Sequence, residues 1–438
     1  MIPSGDRVAI IGGGVSGALS AVRLAQRGFS VTLLEKAAIG NGSSSRSMAG
    51  IRAQFGARET IVGMLFAEWF YVHFHDLLET PPDQRQPVIR QNGYLFLYDD
   101  PDSADLDEGW GGARAAARAW EVGRKTAELQ RSVGVPVEIL DRGAVLERWP
   151  FMRADLIVGG TFCPTDGFLY PPVIYGEAIR RARELGVDVR QQTEVVGARS
   201  SRGRLTALVT ARGDLTVDAV VNCTNAWSPR VSRLLGGMEL AIEPTKRYLY
   251  HLKPDVPVLS AEALAGLPMT IFGMGNGLGA HYRPDGDKLI LAGTGTSGTE
   301  PEFADEDQDV VRSGFGHTHG VDNLGIRILL SIERYAPELA TSGGLVATTC
   351  GFYGLSPDGS PLIGRDSRME NLFHAAGFSG HGVMHAPITA FLVESLVAGD
   401  VREGKVTLPT PFQEQSLDLD AFDPSRDFAR SDHEHAVL

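Results

Sequence analysis

Gly12, Gly14 and Gly17 stand in IIGGGVSG at a Gly-x-Gly-x-x-Gly spacing, and Glu35 follows Gly14 by 21 residues. The pattern suits the seating of a dinucleotide. Gly12 permits a sharp strand-to-helix turn, Gly14 lets backbone N–H groups approach a pyrophosphate, and Gly17 lets helix and strand pack closely. A helix opening at Val15 and Ser16 presents unpaired donors and a positive dipole end to the phosphates. Glu35, with Lys36 beside it, lies where a carboxylate accepts ribose hydroxyls. Alone, the motif does not separate FAD from NAD. A second segment, GNGSSSRSMAGIRAQFG over residues 40–56, is small and hydroxyl-rich. Its Ser43, Ser44, Ser45 and Arg46 suit a loop that wraps a diphosphate or ribityl chain, with a solvated linker as the alternative reading. No Cys/His cluster has metal-ligand spacing and no Gly-x-Ser-x-Gly elbow occurs, so neither a metal nor an acyl-enzyme is expected.

The elements that must carry these residues follow from periodicity. Val8 to Ile11 is a buried-strand run, Val15 to Gln26 a helix with Ala18, Val22 and Ala25 on one face, and Val31 to Leu34 a second strand, together a βαβ opening. Residues 57–79, 111–132, 175–185, 323–340 and 384–398 read as helix. Residues 88–98, 187–197, 204–222 and 245–297 are dominated by strand, as are 343–364 and 372–376. The length of 438 residues bounds the chain to two or three domains, and 43% hydrophobic with 22% charged residues makes it globular. The expected fold class is α/β, a Rossmann-like dinucleotide-binding domain interleaved with a mixed α+β substrate domain. Residues 1–85, 150–225 and 330–405 are assigned to the first, 86–149 and 226–329 to the second, and 406–438 to a peripheral tail. A net charge of −13 supplies no basic footprint for nucleic acid. Three cysteines are too few for a disulfide framework and point to a reducing, cytoplasmic setting. No run of about 18 apolar residues exists for a membrane span. An oligomer is left open.

Three segments together resemble one family: IIGGGVSG with LLEK, then SPDGSPLIG, then AAGFSGHGVMHAP. The chain resembles the FAD-dependent amine and amino-acid oxidoreductases of the D-amino-acid oxidase superfamily, in the style of glycine oxidase, sarcosine oxidase and dimethylglycine dehydrogenase. The resemblance runs over residues 7–400 and implies FAD. Gly377, Gly380 and Gly382 strip side chains from a loop that leads through His381, Val383 and Met384 into a helix, with Pro387 expected near its first turn. Amides there and the helix dipole would stabilise negative charge on the flavin pyrimidine edge. Val195, Val196, Asn222 and Gly351 complete the expected cofactor shell.

The resemblance also implies a reaction. A small amine or amino acid, secondary or N-methylated forms favoured, would lose hydride from the carbon next to nitrogen to flavin N5, and the imine would hydrolyse. Arg52, in the pattern Ile-Arg-x-x-aromatic-Gly, would bind the substrate carboxylate, for which a guanidinium is suited. His281, Tyr248, Tyr250 and His381 would line the substrate face, His281 orienting the amine or taking its proton. The chain departs from monomeric oxidases at Met384, where they carry a carboxylate-binding Lys, and at Ile290, where they carry a Lys for dioxygen, Lys288 lying two residues earlier. Both departures weaken the case for O2 as acceptor, so the electrons would go to O2 or, instead of it, to a quinone, an electron-transfer flavoprotein or another protein. Gly351 occupies the position of the flavin-tethering Cys in some relatives, so FAD is expected to be noncovalent and Cys350 a buried small hydrophobe. The alternatives are hydroxy-acid oxidation by the same flavin, or a flavoprotein subunit or assembly factor of a larger dehydrogenase.

Overall fold

The computed structural model describes residues 5–103, 106, 112–253, 259–274, 280–286, 289–293, 300–301, 324–340 and 344–429. Lys288 lies outside them, and so does the side chain of Ile290, so the expectations resting on that pair have no structural counterpart.

Strand Arg7–Ile11, helix Val15–Gln26 and strand Ser30–Leu34 form the opening βαβ unit. Ile10 and Leu33 are fully buried beneath the helix and Ala9, Ile11 and Leu34 are buried on the opposite face, which explains why both strands are mostly apolar. Among the described residues these strands belong to a six-stranded sheet. Its order is Leu362–Arg365, Leu372–Ala376, Ala219–Asn222, Arg7–Ile11, Ser30–Leu34 and Asp188–Arg190. All its pairings are parallel except the antiparallel edge at Leu362–Arg365. Three distant stretches of sequence thus build one sheet, and the C-terminal helix Gly382–Ala398 packs on the opening helix. A three-stranded antiparallel sheet, Val195–Ser201, Arg204–Thr210 and Gly213–Thr216, covers one side. The expected single strand over 187–197 is two strands in different sheets, broken at Gln192, whose φ of +51° turns the chain.

A larger mixed sheet forms the second half. Its longest pair, Glu243–Lys253 against Gly344–Leu355, lies at one end. Leu289–Gly293, His281–Asp285, Met269–Met274, Tyr94–Asp99, Ile157–Cys163 and Glu138–Asp141 follow in order. One face packs on helix Leu324–Tyr335: Tyr248, Tyr250, Leu252, Phe272 and Tyr282 share a core with Ile328, Ile332 and Tyr335. The opposite face, bearing Leu249, Tyr94, Phe96 and Ile271, turns to the dinucleotide-type domain. No helix among the described residues is long and apolar enough to cross a membrane.

Two expectations need correction. Pro387 is not in the first turn but inside the helix, so the bond its N–H would have made to Val383 O is missing. The buried hydroxyl of Tyr71 donates to that carbonyl instead. The tail, expected to be peripheral, is docked as far as it is described. Leu417 and Phe422 are buried, and Arg426 makes two 2.7 Å bonds to Asp358 of the Ser-Pro-Asp-Gly loop.

Candidate active site

A cavity of about 480 Å³ runs from the ends of the first two strands to the Glu243–Lys253 sheet. At its far end Gly12 adopts φ +110°, and a Cβ there would lie 2.7 Å from Cys223 O. A Cβ on Gly17 would lie 2.0 Å from Gly12 O, so the helix crosses the strand at backbone contact. Glu35 accepts bonds of 2.8 Å from the backbone N–H of Gly13 and of Ala37, which fixes its carboxylate at the cavity wall. Lys36 lies 5.1 Å from the ring of Trp227, also on the wall.

The hydroxyl-rich segment forms the middle of the cavity. Ser44 Oγ accepts from Val15 N at 3.1 Å, and Ser43 donates to Phe352 O. Arg46 donates to Cys350 O, which ties the segment to the long strand of the larger sheet. Gly351 fits closely there, since a Cβ on it would lie 3.0 Å from Cβ of Arg46. The Cys350 side chain turns into the opposite core.

Strand alternation divides the residues expected at the substrate face. On Glu243–Lys253, Arg247 and Leu249 line the cavity, whereas Tyr248 and Tyr250 point into the core behind the sheet. Tyr250 is therefore corrected from site residue to core residue, and burial pushes its phenol well above the ordinary range. His281 does not line the cavity. It lies on the cavity-facing side, opposite Gly293, where an added Cβ would meet both its Nε2 at 2.9 Å and Leu249 at 3.3 Å.

Arg52 is 1% exposed and stands one layer behind the cavity wall. Its guanidinium carbon lies 4.4 Å from the ring of Phe55, 5.4 Å from Tyr94 and 5.3 Å from Phe96. It donates to His381 Nε2 at 3.2 Å. Burial, and then the charge of Arg52, hold the His381 imidazole well below its ordinary range, so the ring is neutral and carries its proton on Nδ1. His385, one turn on, donates Nδ1–H to His381 O, and burial lowers its pKa to about 4. The turn after Arg52 is pinned by Asp166, which accepts from Ala53 N and Gln54 Nε2, both at 3.0 Å. Burial raises both Asp166 and its neighbour Glu68, and Glu68 the more so for the charge and hydrogen bond of Asp166.

Of the remaining expected cofactor residues, Gly14, Val15, Ser16, Val195, Gly380, Gly382 and Val383 line the cavity. Gly380 is required by the ring of Tyr353, which would meet its Cβ at 2.4 Å. Ser45 is exposed and bonds to Gly42 O, and Val196 is 51% exposed on the next strand position. Asn222, fully buried, shapes the following turn through Thr224 and Ser228. Gly377, at φ +68°, and Met384 pack in the core.

Sequence reasoning missed Arg247 and Tyr353. Both line the cavity, with the guanidinium carbon 5.4 Å from the phenol ring. Burial lowers the Arg247 pKa, yet a guanidinium stays charged in proteins. Its Nε and Nη1 are buried without a hydrogen-bond partner. Burial raises the Tyr353 phenol, and the nearby charges of Arg247 and Arg52 pull the other way. The phenol thus lies in the field of two guanidiniums. The signal available in the sequence was the odd-position alternation of a strand whose even positions are Tyr248 and Tyr250.

A family model described as FAD dependent oxidoreductase matches residues 7–396. Glycine oxidase of Geobacillus kaustophilus is 27% identical over 397 residues, 89% of this chain and 92% of that protein. Mitochondrial sarcosine dehydrogenase of Mus musculus is 25% identical across 87% of this chain, and the match spans 38% of that longer protein. Among solved structures, L-proline dehydrogenase from P. horikoshii superposes with a TM-score of 0.75 at 24% identity, covering 97% of this chain and 98% of that one. That likeness speaks for the fold.

Proposed function

Because the chain belongs to the family of FAD dependent oxidoreductases, we propose that it oxidises a small amino acid at the carbon next to nitrogen, with secondary or N-methylated amino acids favoured. The observation that carries this reading is the course of the cavity, from Glu35 at one end to the cationic, aromatic wall of Arg247 and Tyr353 at the other. Glycine, sarcosine and proline, after which the relatives above are named, are amino acids.

The residues present fit FAD. Glycine backbone at positions 12, 14 and 380 keeps the wall thin, Glu35 is fixed at the adenosine end, and the first turn of Gly382–Ala398 lines the other. When bound, the isoalloxazine supplies the two-electron acceptor that these side chains lack. The protein's own part is binding and alignment. A substrate carboxylate on the cavity side of Tyr353 is drawn by the buried charge of Arg52, and the phenol is a hydrogen-bond donor it meets there. Arg52 does not touch it. It acts as a positioning residue that holds His381 neutral and oriented. Helix Gly382–Ala398 directs its amides at the cavity, where they stabilise negative charge. The substrate nitrogen must be unprotonated to lend its electrons, so the rate rises with pH through the deprotonation of the bound amine.

The test is anaerobic flavin absorbance during mixing with amino acids and, in parallel, hydroxy acids. Bleaching by amino acids with imine-derived products supports the reading. Bleaching by hydroxy acids alone replaces it with hydroxy-acid oxidation, and no bleaching by any member favours a role as a flavoprotein subunit. The electron acceptor is read by repeating the assay with O2 and with a dye.

A further inference from the structure

The reading of this site as an amino-acid oxidation centre places Arg247 in its cationic wall but gives that guanidinium no bonded partner among the described residues. Arg247 lines the cavity from the Glu243–Lys253 strand, with Nε and Nη1 both buried and both lacking an acceptor in the protein. Leaving buried charged donors unmet is costly, because their desolvation is not repaid by any acceptor. Such a group points to a ligand atom that completes it. The carboxylates that line the cavity do not answer it among the described residues: Glu35 is bonded to Gly13 N and Ala37 N, and Glu194 is exposed beside Val195. The first substrate carboxylate is assigned to the Tyr353 phenol on the side of Arg52, and the phenol ring stands 5.4 Å from the Arg247 guanidinium.

We propose that Arg247 is a specificity-determining residue that receives a second anionic group, so that the preferred substrate is an amino acid carrying two acidic groups, either an N-carboxyalkyl or an N-methylated dicarboxylic amino acid. This rests on the amino-acid reading above. A guanidinium suits the task because it pairs with a carboxylate through two parallel N–H···O bonds and cannot neutralise itself by losing its proton. Fixing both ends of a short chain also aligns the carbon between them, which a single anchor leaves free to rotate.

The experiment uses the FAD-loaded enzyme and compares N-methylglycine with N-(carboxymethyl)glycine and N-methylaspartate in anaerobic flavin reduction. The proposal expects the two diacids to be favoured by at least about tenfold in rate over dissociation constant, and expects that ratio to fall about tenfold or more in Arg247→Gln, with partial recovery in Arg247→Lys. A second readout needs no turnover: succinate should perturb the flavin spectrum at lower concentration than acetate, and Arg247→Gln should erase that difference. If no amine bleaches the flavin but succinate still binds through Arg247, the amino-acid reading fails and the anion site stands. The proposal is overturned if mono- and diacids are handled alike by the wild type. It is also overturned if Arg247→Gln alters sulfite affinity or the visible spectrum of the free holoenzyme while leaving the diacid ratio untouched, since Arg247 then serves the flavin.

Discussion

The side chains at the substrate end divide by what they can reach. Arg52 is enclosed by Phe55, Tyr94, Phe96 and His381, whereas Tyr353 faces the cavity. Arg52→Ala is expected to leave FAD bound and to raise KM about tenfold or more, because an uncompensated anion then meets a weaker field. Steady-state kinetics with the flavin content measured in parallel checks this. An unchanged KM removes Arg52 from any part in binding. At the opposite end Gly17 leaves no room for a side chain, its Cβ falling 2.0 Å from Gly12 O. Gly17→Ala should force helix and strand apart, cost roughly 1–3 kcal/mol, and lower the flavin content of the purified protein. Chemical denaturation and the ratio of flavin to protein absorbance report the two effects separately.

Among the elements, helix Gly382–Ala398 bears the most. It packs on the opening helix, carries its first turn to the cavity and tolerates Pro387 because Tyr71 serves the carbonyl that the proline leaves unbonded. Tyr71→Phe should cost about 1–3 kcal/mol by orphaning Val383 O, visible as a lower denaturation midpoint with an unchanged slope. The opening βαβ unit was legible because Val8 to Ile11 and Val31 to Leu34 are buried on both faces, so pattern and glycine spacing agree. The parity of the Glu243–Lys253 strand was less legible, because Tyr248 and Tyr250 are as apolar and polar as any cavity residue and only pairing fixes which face they take. Arg247 stayed hidden for the same reason, and Tyr353 because its role comes from Gly380, distant in sequence, packing under its ring. The docking of Arg426 on Asp358 could not be read from a polar tail at all.

For the whole molecule, buried ionisable groups give stability opposing pH trends. His385 has its pKa lowered by burial to about 4, from an ordinary value near 6.5. A base with a depressed folded value is favoured neutral, so its contribution is complete above about pH 6.5 and is lost as pH falls toward 4, on the order of 3 kcal/mol in all. Glu68 is raised by burial, so its contribution is complete below its ordinary range and lost as pH climbs through the raised value. Unfolding by urea from pH 4 to pH 7 should show a shallower acid loss in His385→Gln than in the wild type. In Glu68→Gln the loss on raising pH should shrink. Parallel profiles for wild type and His385→Gln would contradict the burial argument.

At the same scale, two interleaved sheets enclose one cavity, with a dinucleotide cradle at one end and two guanidiniums around a phenol at the other. Mixing the FAD-loaded protein with N-methylated and dicarboxylic amino acids in the absence of oxygen puts this arrangement to its most direct trial. The account predicts loss of the oxidised flavin absorbance with amino acids, faster as pH rises through the amine's deprotonation, and none with the matching hydroxy acids. A flavin that stays oxidised with every amino acid, or that is reduced by hydroxy acids alone, would contradict it.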